Sequence, residues 1–269
     1  MSKRSRQARS AAFFDLDKTI IATSSSMAFA GSFMDGGLIT RAHALRTAYA
    51  QFLYLVGGAD ERQTNRLRDS LSDLIKGWEV AKVQHIVRET LHEHIDPVVY
   101  EEALALIKRH QENGRDVVIV SASARDVVEP IAQLLGADEV VASELEVKKG
   151  FYTGEITFYA YGEAKAEAIR ALADEKGYDL SRSFAYSDSI TDAPMLSAVG
   201  HGFVINPDRS LRIAAMHAGW GALRFRKPVG LRSGPSTRST ALTLLAVAAA
   251  VAAVVLFMRA AKNVVDDED

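Results

Sequence analysis

The amino-acid sequence predicts an α/β protein: a parallel sheet with helices on both faces, a helical insert after the first strand, and a transmembrane helix near the C-terminus. Three observations carry that expectation. Short apolar runs alternate with segments of helical periodicity, the pattern of strands buried on both sides of a sheet. Between the first apolar run and the second lies a block of about 75 residues with helical patterning alone, too long for a plain strand-to-strand connection. Finally, the twenty residues from Ser239 to Met258, "STALTLLAVAAAVAAVVLFM", contain no charge.

The elements follow in chain order. Residues 1–10, "MSKRSRQARS", are basic and lead into no apolar stretch long enough for a signal peptide, so they read as a disordered arm. "AAFF" (11–14) is a short buried strand, and "DVVIVSAS" (116–123) a second, ending in small hydroxyls. "EVVAS" (139–143), "SFAYS" (183–187) and "HGFVIN" (201–206) follow the same pattern. Helical spacing separates them, as in Val99, Ala103, Leu106 and His110, or Ala168, Ile169, Leu172 and Ala173. "KKGFYTGEITFYAYG" (148–162) reads as a hairpin with Gly154 near its turn. The resulting layout is a Rossmann-like core over 11–21 and 97–222, with a helical cap over 22–96 at the C-terminal edge of the sheet. That edge is where open α/β sheets bind ligands.

Glycine, proline and arginine rise after His217, and residues 223–238 read as a linker. As a helix, 239–258 spans about 30 Å, the thickness of a bilayer's hydrocarbon core. Its seven alanines leave a helix buried against protein as the alternative. Arg224, Arg226, Lys227, Arg232 and Arg238 precede the run without an intervening acid, while Arg259 and Lys262 follow it in an otherwise acidic tail (259–269). The basic excess on the N-terminal side places the large domain in the cytoplasm, on a single-pass anchor. A net charge of −2 gives no reason to propose nucleic acid as a partner. The absence of cysteine excludes disulfides, thiolate nucleophiles and cysteine-ligated metals.

The chemistry concentrates at strand ends. In "FFDLDKT" (13–19), Asp15 and Asp17 lie two apart just past a buried strand, where an extended chain points both carboxylates the same way. Two anions so close repel unless a cation stands between them, and hard oxygen ligands favour Mg²⁺. A carboxylate beside such an ion is also able to attack an electrophile; the alternative is an acidic loop capping a helix. "YSDSITDAPML" (186–196) again follows a strand, with Asp188 and Asp192 four apart. Ser121 ends "VIVS" with a hydroxyl suited to a phosphate oxygen. Lys165 falls in the first turn of a helix, where the dipole does not favour an ammonium and an anionic ligand opposite explains it. "HEHID" (92–96) offers His92 and His94, but residues two apart on a helix diverge.

With these motifs in order, residues 11–216 resemble the haloacid dehalogenase-like hydrolases, in the branch similar to phosphoserine phosphatase. The resemblance implies a phosphatase. Asp15 is then the nucleophile, and Asp17 the general acid and base. Mg²⁺ is held by the Asp15 and Asp188 carboxylates and the Asp17 main-chain carbonyl. Ser121 and Lys165 grip the phosphoryl oxygens, Asp192 supports Lys165 or the metal's water shell, and the helical insert is a closing lid.

The sequence departs from that branch where the amino acid is recognised. The glutamate that pairs with the substrate ammonium is matched by Ser24, and the cap arginine by Leu71, with Arg66 and Arg68 nearby. In the fourth motif, Ser187 and Thr191 replace a glycine and an asparagine. Met27, Phe29, Phe33 and Met34 suggest an apolar leaving group, hence a lipid-related or other small phosphomonoester; packing inside the cap is their other reading. Phosphoserine phosphatase, phosphotransferase and non-catalytic membrane-bound binding module are the alternatives.

Overall fold

The computed structural model describes residues 9–39, 72–226 and 228. Seven strands form one sheet there: β1 (Ala11–Asp15), β2 (Asp116–Ala124), β3 (Glu139–Lys148), β4 (Phe151–Phe158), β5 (Phe184–Ser187), β6 (His201–Ile205) and β7 (Gly221–Leu223). Their spatial order is β4-β3-β2-β1-β5-β6-β7, with β3 and β4 antiparallel and every other pair parallel.

β1 is the central strand of the sheet and is buried throughout. Its side chains alternate between two cores. Ala12 and Phe14 join Ile107, Ile119 and Ile131 on one side, while Ala11 and Phe13 join Val118, Ile169 and Leu196 on the other. That two-residue period is what a strand covered on both faces demands. The first core is closed by α4 (Glu101–Glu112) and α5 (Arg125–Leu134), the second by α6 (Glu163–Lys176), α7 (Ala193–Ser197) and α8 (Arg209–Ala218).

β1 lies between β2 and β5, so the chain reverses its direction of travel across the sheet at β1. A crevice at the carboxyl ends of the strands is expected at such a switch point. The register sets what lines it: Asp15 pairs with Val120, and Phe14 with Tyr186. Ser121, Ser187 and Asp188 therefore emerge beside Asp15.

Between β1 and β2 the described residues are helical in the main, with α1 (Ser25–Ala28), α2 (Ala30–Asp35) and α3 (Val80–His94). Val83, Val87 and Leu91, at helical spacing, bury one face of α3. Its start is tied to the hairpin by backbone bonds, Gly77 N–H to Tyr152 O at 2.8 Å, Tyr152 N–H to Trp78 O at 3.0 Å and Val80 N–H to Gly150 O at 3.0 Å. Asp126 completes the join, accepting from Gln84 Nε2 at 2.6 Å and Tyr152 Oη at 2.7 Å.

Three expectations need correction. The hairpin turns at Lys149–Gly150, not at Gly154. Both turn residues have positive φ (53° and 83°), as a two-residue turn matched to strand twist requires. Gly154 sits inside β4, where the β3–β4 register is irregular. β7 was not anticipated; its three residues carry too little pattern to separate from a linker. Arg9 does not belong to a free arm. Its guanidinium meets Asp116 at 2.5 Å, and its carbonyl accepts from Asp179 N–H at 2.8 Å. The linker expected over 223–238 begins inside the fold, with Leu223 in β7, Phe225 buried and Pro228 bridged to Tyr100; its remainder, the expected membrane helix and the acidic tail lie outside the described residues, as do Arg66, Arg68 and Leu71. Among the described residues no helix is long and apolar enough to cross a membrane.

Candidate active site

Asp15 ends the central strand with its carboxylate almost fully buried. Its Oδ1 accepts from Lys165 Nζ at 2.7 Å, across 150 positions of sequence. The same ammonium donates to Asp192 Oδ2 at 2.8 Å, and all three residues are buried. Lys165 reaches this point because α6 starts at Gly162, whose backbone (φ 58°, ψ −126°) is one that only glycine adopts readily. Burial opposes the ammonium's charge, yet Asp15 and Asp192 together outweigh it and raise the Lys165 pKa. Ser187 Oγ also donates to Asp192 Oδ2, at 2.7 Å. The serine that departs from the family's glycine thus holds the carboxylate that holds the lysine.

Asp17 is fixed by a second set of bonds. Its Oδ1 accepts from Ser25 N–H at 2.7 Å, at the start of α1, and its Oδ2 from Ser123 Oγ at 3.2 Å. The hydroxyls of Ser25 and Ser123 share a further bond of 2.8 Å. Burial raises the Asp17 pKa, against the Ser25 and Ser123 bonds, which favour the ionised form.

Asp188 follows β5. Its N–H donates to Thr19 Oγ1 at 3.0 Å, which locks the fourth motif to the loop of the first. Burial pushes its carboxyl up to about 6, with Lys18 pulling down and Asp192 adding to the rise. Asp15 is raised well above the usual carboxylate range by burial. Lys165 opposes that rise, while Asp192, Asp188 and Asp17 add to it. Ser121 is buried on the neighbouring strand, and its Oγ accepts from Ser123 N–H at 3.2 Å.

The structure therefore joins Asp15, Lys165 and Asp192 by direct bonds and brings Asp17 and Asp188 within electrostatic reach of Asp15. Ser121 stands alongside on β2. Four further residues position this set: Thr19, Ser25, Ser123 and Ser187. Two of them left a local signal: Ser187 as a departure from the fourth motif, and Ser123 as a small hydroxyl two residues beyond Ser121. The histidines diverge as their spacing requires, His92 towards Asp96 and His94 towards Ser32. Phe29 and Phe33 pack inside the cap, while Met27 remains 66 % exposed.

Among the described residues no group of three or more His, Cys, Asp or Glu side chains forms a metal cage. The donor set implied for Mg²⁺ is smaller: two carboxylates, Asp15 and Asp188, and one main-chain carbonyl. The local charge fits such an ion. Asp15, Asp17, Asp188 and Asp192 outnumber the cations acting on them, Lys165 and Lys18; burial is the main cause of the raised pKa values of Asp15 and Asp188, and neighbouring carboxylates add to it.

The haloacid dehalogenase-like hydrolase family matches residues 12–197, a span that runs from the first aspartate motif to the last. The chain belongs to that family. An "Inhibition of morphological differentiation protein" of Streptomyces azureus is 58% identical over 225 residues, covering 83% of this chain and 81% of the relative. A "probable phosphatase" of Mycobacterium tuberculosis is 52% identical over 250 residues, covering 92% and 87%. A solved phosphoserine phosphatase carrying a phospho-aspartyl intermediate analogue shares the fold, with a TM-score of 0.58 at 22% identity over 83% of this chain and 96% of that one. As a haloacid dehalogenase-like hydrolase the chain is an enzyme of the phosphatase class, as its motifs implied.

Proposed function

We propose that the protein hydrolyses a phosphomonoester through an aspartyl-phosphate on Asp15. The observation that carries this reading is the buried Lys165 ammonium, bonded to Asp15 and Asp192 at the open edge of the sheet. It is a fixed positive charge within reach of a phosphoryl group attacked by Asp15, and phosphoryl transfer needs positioning and charge neutralisation above all.

In the first half-reaction an Asp15 oxygen bonds to phosphorus and the bond to the leaving oxygen breaks, while Asp17 delivers a proton to that oxygen. In the second, Asp17 takes a proton from water as the water attacks phosphorus, and the Asp15–phosphorus bond breaks to release inorganic phosphate. The raised pKa of Asp17 suits both duties. Ser121 and Lys165 hold the phosphoryl oxygens, and Asp192, braced by Ser187, keeps Lys165 in place. Mg²⁺, held by the Asp15 and Asp188 carboxylates and the Asp17 carbonyl, supplies further positive charge to the transferring oxygens when bound.

For the substrate we favour a phosphomonoester with an apolar, lipid-related leaving group, acted on by a domain held at the cytoplasmic face of a membrane through residues 239–258. Met27 lies two residues past the Asp17–Ser25 contact, and Ile190, 41% exposed, two residues past Asp188; both are apolar and outward. Phosphoserine is the alternative. Against it stands Ser24, whose hydroxyl accepts from Met27 N–H as the cap of α1 and offers no carboxylate to an ammonium.

Three assays test the proposal. Asp15→Asn and Asp17→Asn, each measured on an aryl phosphate with and without Mg²⁺, should both lose turnover; unchanged activity in either refutes the mechanism, and a wild type without turnover leaves a binding module. Comparing a lysophospholipid phosphate, phosphoserine and a sugar phosphate then ranks the substrates, and preference for either polar compound refutes the lipid reading. Product analysis with an added alcohol separates hydrolysis from phosphotransfer.

A further inference from the structure

α8 is the last helix before the chain leaves the sheet, and it buries Leu211 and Ala215. Arg209, Arg212, Ile213 and Met216, at positions i, i+3, i+4 and i+7, share its outward face. Ile213 is 47% exposed and Met216 75%. Solvent-facing stripes of globular helices are polar; one that mixes large apolar side chains with arginines has the make-up of a helix lying in a membrane interface.

Along the chain from this helix the charge has one sign. Between Asp208 and Asp266 the sequence holds nine lysines and arginines and no acid. Asp208 itself faces the helix start, accepting from Leu211 N–H at 2.7 Å and Ser210 Oγ at 2.8 Å. Arg212 donates only weakly to Pro207 O, at 3.3 Å. The chain then continues through β7 into the basic segment and the uncharged run 239–258.

We propose that α8 is a second membrane contact. It lies on an anionic bilayer with Ile213 and Met216 at the headgroup–acyl boundary and Arg209 and Arg212 on lipid phosphates. The proposal rests on the membrane reading above and adds a surface to it. α8 begins just after the carboxyl end of β6, on the same edge of the sheet as Asp15.

The chain has no cysteine, so a single one introduced for labelling is unique. Full-length Met216→Cys carrying a polarity-sensitive fluorophore is mixed with vesicles of phosphatidylcholine, with or without phosphatidylserine, and floated. The expected result is co-flotation with a blue-shifted emission, larger on phosphatidylserine. Ala105→Cys, exposed on α4 across the sheet, should show no shift. Adding Arg209→Gln and Arg212→Gln should remove most of the shift at position 216 and leave aryl-phosphate turnover intact. Flotation with unshifted emission at 216 overturns the α8 contact while the tether stands. No flotation overturns both. A shift that grows with protein concentration without vesicles overturns the lipid assignment in favour of contact between copies.

Discussion

Replacing Lys165 with methionine keeps most of the side chain's volume and removes its charge. The ammonium makes two charge-assisted bonds, 2.7 Å to Asp15 and 2.8 Å to Asp192, in a site where all three residues are buried. Such bonds contribute about 1.5–3 kcal/mol each. Against their loss stand the relief of burying an ammonium and the freedom of the stranded carboxylates to take up protons. Breaking one partner out of a buried ion pair costs about 3–5 kcal/mol in comparable sites, so a net loss of about 3 kcal/mol is expected here. Urea unfolding of wild type and Lys165→Met in chelator, at neutral pH, measures it. Asp192→Asn completes a double-mutant cycle. Once the lysine is gone that second substitution should cost far less than it does in wild type, a coupling of about 1.5 kcal/mol or more. A loss below about 1 kcal/mol, or two effects that simply add, refutes the idea that this triad is one electrostatic unit.

Other outcomes follow from the same coordinates. Ser123→Ala removes the 3.2 Å bond to Asp17 and the 2.8 Å bond to Ser25 while Ser25 N–H stays; kcat on an aryl phosphate should fall about tenfold with little change in KM, and Ser123→Thr should restore it. His110, buried against Tyr186 with a shared hydrogen bond of 2.8 Å, has its pKa lowered from 6.5 to about 4 by burial and by Arg115 and Arg109. The unfolded chain therefore binds a proton there before the folded one does. Stability from the neutral ring is present above pH 6.5 and is lost as pH falls towards 4, by about 2–3 kcal/mol. His110→Leu should flatten that part of the wild-type stability curve in chemical denaturation; an unchanged slope removes His110 as its cause.

Much of the sheet was legible because a buried strand is a local pattern. "AAFF" and "DVVIVSAS" announce β1 and β2 through runs of apolar residues that need no knowledge of their neighbours. The aspartates at 15, 17, 188 and 192 were legible for the same reason, each falling directly after such a run or one turn beyond. The hairpin was less so. Two glycines, Gly150 and Gly154, competed for its turn, and strand twist, a property of the paired strands, selects the pair Lys149–Gly150. Ser187 read as a mere departure from a motif until its hydroxyl was placed 2.7 Å from Asp192. The aromatic residues of the cap read equally as lining or as core, and only packing separated buried Phe29 and Phe33 from exposed Met27.

The sequence by itself determined that strands alternate with helices, that acidic residues stand at strand ends, and that an uncharged run of bilayer length lies near the C-terminus. Each is a statement about neighbours along the chain, where spacing and side-chain type suffice. Only the tertiary structure decided that Lys165 bonds Asp15 and Asp192, that two serines from different elements clamp Asp17, and that α8 turns arginines, isoleucine and methionine outward. Those contacts depend on strand order and register, which residues far apart in the chain fix jointly and which no single segment encodes.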